Sequence, residues 1–184
     1  MITDLQEKLN EAQYFLRRMK EVANDREHFR WNLSAFLSAA RSVTMIMNVQ
    51  YARSDGYEGW LDGKIKEADL RTGGMVKYLK EQRRLTVHVR PLRPSAFIQV
   101  DLTMHLDIGI NAPTVITGTS STLATKSISQ PLKVESTVES TRKQTYYFDD
   151  IKDRDILSIC GSYIEEIKAI AAECERKFEG TRKS

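Results

Sequence analysis

The 184-residue chain has little of what builds covalent or metal-held architecture: two cysteines, three histidines, four prolines and nine glycines. Cys160 and Cys174 fall in one helical pattern, which separates them by about 21 Å. A disulfide needs Cα atoms within about 7 Å, so the two do not pair. No CxxC spacing points to zinc. Unpaired thiols point instead to a reducing, cytoplasmic compartment. No apolar run is long enough to cross a bilayer, so no membrane partner is expected. The opening Met-Ile-Thr-Asp-Leu-Gln has none of the apolar stretch of a secretory leader. Charge of one sign is also missing: 28 basic residues against 25 acidic ones leave +3. That balance excludes a polybasic nucleic-acid coat and an acidic tail. Gly73-Gly74 lacks the Lys-Ser/Thr of a phosphate loop, and no nucleophile-elbow pattern occurs. Neither a cofactor nor a resident metal is expected.

What is present is strong helical periodicity. Thr3 with Gln6 reads as an N-terminal cap. Leu5, Leu9, Ala12, Leu16, Met19 and Ala23 then follow a 4-3-4-3-4 spacing, a narrow stripe suited to pairing with another helix. Asn24-Asp25 offers the next cap. A second helix over 26–51 presents Phe29, Leu33, Phe36, Leu37, Ala40, Val43, Met47 and Tyr51 on one face. Residues 57–72 read as a short helix or irregular turns, weakened by Gly59 and Gly63. Another helix is expected from Met75 to Arg84. The last helix carries Ile156, Cys160, Tyr163, Ile167, Ile170, Cys174 and Phe178 on one stripe, with Asp150 and Asp153 as its cap.

After Leu85 the period changes to two, with Leu85, Val87 and Val89 alternating against polar neighbours. From Ile98 to Ile110 the alternation is unbroken, and 111–145 is rich in Ser, Thr and β-branched residues. These segments predict antiparallel strands and turns. The expected fold is therefore α+β: an antiparallel bundle of four to five helices in residues 1–88 and 149–184. A β-rich insertion over 89–148 packs on it before the last long helix.

Several polar residues invite a role. Asp101, His105 and Asp107 share the polar face of the long strand. Alternate strand positions lie nearly 7 Å apart, from a rise of about 3.3 Å per residue, which makes a polar ladder the better reading than a metal site. His28 reads as a surface residue. Trp31 and Trp60 read as packing residues rather than base-stacking platforms. Residues 77–93 are different: six basic residues stand against one acid, Glu81. Such a segment can hold phosphates, or simply complement a helix C-terminus.

Within it, Arg83 is followed by four residues and then His88. That Arg-x4-His spacing, with the helix order and the small-residue stretch from Trp31 to Ser42, resembles the HEPN family. The position after the arginine is Arg84, not the family's usual Asn. The likeness covers the helical two-thirds and leaves residues 89–148 outside it. It implies metal-independent RNA cleavage through an internal 2′-hydroxyl at a homodimer interface. It also implies, for the toxin-like and defence members, a neutralising antitoxin-like protein partner. The chemistry fits the residue types. An imidazole moves protons near neutral pH. A guanidinium is a planar, always-charged fork for phosphate oxygens. His88 would be the general acid or base, Arg83 the phosphate clamp, and Lys77, Lys80, Arg84 and Arg90 the guides for RNA. On a straight helix Arg83 and His88 stand about 140° apart. Their convergence within one chain therefore needs the expected change of period between them. The alternative is a non-catalytic dimeric interaction module that uses the β insertion as its partner surface.

Overall fold

A computed structural model describes residues 3–89, 91–108 and 134–178. Seven elements run in order: α1 (Asp4–Glu21), α2 (Arg26–Tyr51), α3 (Tyr57–Arg71), α4 (Met75–His88), β1 (Ser95–Ile108), β2 (Val134–Tyr147) and α5 (Ile156–Phe178). The mixed α+β class read from the sequence is what is found: among the described residues there are five helices and one two-stranded antiparallel sheet. The chain divides into two compact units, residues 1–97 with 145–184, and residues 98–144.

In the helical unit α2 and α5 are central. Each packs against the other and against α1 and α4, while α3 lies on α4 and α5. Their apolar stripes supply the core. Phe29, Leu33, Phe36, Ala40, Val43 and Met47 of α2 are completely buried, as are Ile156, Cys160, Ile167 and Cys174 of α5. Phe36 meets Tyr163 edge-to-face at 6.4 Å between ring centroids. Leu5, Leu9, Ala12, Leu16 and Met19 bury the α1 stripe. The caps form where their side chains dictate. Thr3 accepts the Gln6 backbone N–H, and Asp25 accepts those of Glu27 and His28. The Gln6 side chain does not close a capping box; it donates to Asn10 instead.

Three local expectations are corrected. Residues 57–71 form one continuous helix despite Gly59 and Gly63, because Tyr57, Leu61 and Ala68 give it an inward edge. The last helix begins later than Asp150–Asp153: Asp155 accepts the Ser158 N–H, and Ile156 is the first helical residue. Most consequentially, no strand begins at Leu85. Helix α4 continues to His88, and the Val89 N–H still bonds to the Leu85 carbonyl at 2.9 Å. Leu85 and Val89 are also i and i+4, so alternation over five residues suits a helix as well as a strand. Pro91 lacks the N–H a helix needs and ends the element.

The start of α4 is set by geometry that requires glycine. Gly73 and Gly74 have φ of 65° and 84°, the left-handed region where a Cβ is strained. A Cβ on Gly73 would also meet the Arg154 guanidinium at 3.4 Å. The Gly74 N–H returns to the Asp69 carbonyl at 2.7 Å, closing α3. The Asp69 carboxylate then accepts the Lys77 backbone N–H at 2.9 Å, so one side chain of α3 caps the first turn of α4.

Candidate functional site

Helix α4 turns its basic residues toward α2. Lys77, Lys80, Arg83 and Arg84 line a cavity of about 480 Å³, closed by Glu81 and by Arg41 of α2. The structure thus brings together four of the six sequence-predicted residues. The fifth, His88, lines a different cavity, and the sixth, Arg90, lies outside the described residues.

Glu81 does not neutralise the cluster. It is held by Arg84, with Nη2 at 2.6 Å from Oε1 and Nε at 2.9 Å from Oε2. Hydrogen bonding to Arg84 holds the Glu81 carboxyl below its ordinary range. Arg84 is therefore committed to that pair. Arg41 donates to the Thr44 hydroxyl at 2.9 Å. Among the described residues, Lys77, Lys80, Arg83 and Arg41 have no carboxylate partner within 4.0 Å. Arg83 is more unusual still, because its Nε is buried without a hydrogen-bond partner. A buried, unsatisfied guanidinium N–H is costly.

His88 is exposed at the C-terminal end of α4. It lines an open cavity of about 500 Å³ with Arg30, Trp31 and Ser34 of α2 and with Thr86, Val89, Pro91 and Leu92. Arg83 and His88 share a regular helix, so about 140° of rotation and about 7.5 Å of rise stand between their Cα atoms. No bend between them draws them into one pocket.

The two cavities nevertheless follow one line. Arg30, Ser34, Arg41 and Asn48 recur on α2 at spacings of four, seven and seven, which keeps them on one face. Ser34 and Arg41 stand about 10 Å apart along the axis. A third cavity, of about 510 Å³, continues the seam. It shares Arg41, Lys77 and Lys80 with the cationic one and adds Asn48, Asp62, Asp69 and Tyr163. Burial pushes the Tyr163 hydroxyl up to about 12, which keeps it a neutral donor across the physiological range.

Sequence reasoning had not assigned Arg30, Ser34 or Arg41 to the site. Their signal is a recurrence of polar residues at spacings of four and seven along α2. Trp31 corrects a reading outright. It does not pack in the core but stands 53% exposed, whereas Trp60 is partly buried against the core as expected. His28 is exposed, with Nδ1 at 2.6 Å from Asp25 Oδ2. On β1, Asp101 is exposed and faces Gln99 Nε2 at 3.2 Å. The side chains of His105 and Asp107 lie outside the described residues. Among the described residues, no group of three His, Cys, Asp or Glu side chains is placed to hold a metal ion, and no helix is long and apolar enough to cross a membrane.

No family model, no curated protein and no solved structure matches this chain.

Proposed function

We propose that this chain is an HEPN-like RNA-binding protein whose α2–α4 seam takes backbone phosphates. One observation supports this above all: an uncompensated cationic cavity built by Arg41, Lys77, Lys80 and Arg83, with Arg83 Nε buried and unpartnered. A guanidinium that lines such a cavity is the group best shaped to bind phosphate oxygens. A near-neutral protein with one such concentration of positive charge binds RNA locally rather than coating it.

Cleavage is the sharper form of the proposal. The imidazole has to reach the phosphate that Arg83 holds, and the two side chains of one chain line different cavities. The His88 ring therefore comes from a second copy, in a homodimer that pairs the Arg83 of one subunit with the His88 of the other. His88 then takes the 2′-hydroxyl proton as the 2′-oxygen attacks phosphorus. The P–O5′ bond breaks to leave a 2′,3′-cyclic phosphate, the leaving 5′-oxygen takes a proton from water, and Arg83 holds the oxygen charge. The separation of the two cavities also favours a second reading, a non-catalytic dimeric module that binds RNA and presents its β segment to a protein partner.

Labelled single-stranded RNA incubated with the protein in EDTA tests both. Binding should weaken with salt, with a log–log slope near −0.7 for each phosphate contacted. Lys80→Glu and Arg83→Gln should each weaken binding, and Lys80→Glu should flatten the slope by about 0.7. On the catalytic form, His88→Ala and Arg83→Ala are each inactive, and mixing the two variants restores partial cleavage. Binding without EDTA-resistant cleavage selects the module. Binding indifferent to Lys80 and Arg83 ends the proposal.

A further inference from the structure

We propose that Trp31 is a stacking platform for an unpaired nucleobase, so that the nucleic acid recognised is single-stranded. This rests on the phosphate-binding reading of the neighbouring seam and adds to it the state of the bases.

Trp31 is a large apolar surface left 53% exposed in the second turn of α2, a helix whose Phe29, Phe36 and Tyr51 rings are all buried. Beside an open cavity, an exposed indole offers a rigid amphipathic face with one apolar side and one wet edge. The indole is also held ready. His28, one turn earlier, meets it edge-to-face, with ring centroids 5.0 Å apart and planes at 74°. His28 is in turn fixed by Asp25, whose other carboxylate oxygen caps the helix. Among the described residues no other ring contacts Trp31. A ligand can thus use an indole that is already positioned, without first ordering it.

The surroundings choose the occupant. Arg30 and His88 line the same cavity and no carboxylate does. A purely apolar partner would leave the Arg30 guanidinium unmatched, whereas a nucleotide offers a planar base to the indole and phosphate oxygens to the guanidinium. The Trp31 cavity and the Arg83 cavity lie along one face of α2, with Ser34 in the first and Arg41 in the second about 10 Å apart. A single backbone can therefore run from the cationic cavity to the indole. A duplex keeps its bases stacked on each other and has none to offer.

The full chain is titrated with a 2′-O-methyl oligouridylate, which resists cleavage through the 2′-position, and with a duplex of the same length. Tryptophan emission is read alongside affinity. We expect the single strand to quench emission in the wild type and not in Trp31→Phe, where only Trp60 emits. Trp31→Ala should lower single-strand affinity about tenfold, with an unchanged helical signal since the side chain is outside the core. The duplex should bind more weakly and quench little. Undiminished affinity in Trp31→Ala, or equal quenching by the duplex, overturns the inference. So does a dimer in sedimentation that Trp31→Ala turns into monomer without loss of oligonucleotide binding, which would make a second copy the occupant. If Lys80→Glu weakens binding and Trp31→Ala does not, only this inference falls. If Trp31→Ala weakens binding and Lys80→Glu does not, the seam fails as a phosphate site and the stacking platform stands. If the oligonucleotide does not bind at all, both fall.

Discussion

The apolar stripe of α2 is buried, whereas the apolar side chains described on β1 are exposed. Leu33, Phe36, Val43 and Met47 are completely buried on α2, while Ile98, Val100 and Leu102 on β1 are 46%, 53% and 70% exposed. Both runs have regular apolar spacing, of period 3.6 in one and 2 in the other. Periodicity reports which side chains share a face; it does not report whether anything covers that face. Helices α2 and α5 supply faces to each other and to their neighbours. Among the described residues the sheet has two strands, too few to form a second layer of its own.

The difference makes a mutational ranking. Phe36→Ala should have the largest effect, about 3–5 kcal/mol in chemical denaturation, because the ring leaves a cavity between α2 and Tyr163 that the bundle cannot refill. A loss below about 1 kcal/mol would break the comparison by showing that the bundle relaxes as freely as the ribbon. A smaller effect is expected at the bundle surface, where Glu166 accepts from Arg71 Nη2 at 2.7 Å. Hydrogen bonding to Arg71 holds the Glu166 carboxyl below its ordinary value of 4.5. The folded state therefore favours the ionised form. The stabilisation is full above the ordinary value and fades as pH falls through the lowered one. Glu166→Gln should lower Tm by about one or two degrees at pH 7 in low salt. The gap should close as the pH falls below the ordinary carboxylate range and shrink in high salt. A gap that persists in acid would remove the ion pair as its cause. Val100→Ala should do least, within about 0.5 kcal/mol, since the methyl groups removed already face water. A loss comparable to that of Phe36→Ala would mean that the ribbon face is covered in solution.

The same contrast explains what was legible in the sequence. Helices α1, α2 and α5 could be read because each carries a long one-sided stripe, and Thr3 and Asp25 mark two of their starts. Helix α3 was harder, since its inward edge is only Tyr57, Leu61 and Ala68 and two glycines interrupt it. The end of α4 was misread because Leu85 and Val89, four residues apart, fit the helical period as well as that of a strand. Asp155 lost to Asp150 and Asp153 because a helix start rich in acids has several residues able to cap it. Lys77, Lys80, Arg83 and Arg84 could be read as a cluster from their density alone. Arg30 and Arg41 could not, because their membership depends on which face of α2 meets α4, a tertiary fact. Trp31 was assigned to packing by residue type, and the register of α2 turned it outward.

Cys160 and Cys174 lie completely buried on the inner stripe of α5, and burial pushes both thiols up, Cys174 to about 12. A thiol that is neutral and enclosed does not react with an alkylating reagent until the surrounding helices part. The protein thus carries two native clocks on its central helix, about 21 Å apart along the axis. Their relative labelling rates separate fraying from one end, which would expose them unequally, from a cooperative opening that releases both together.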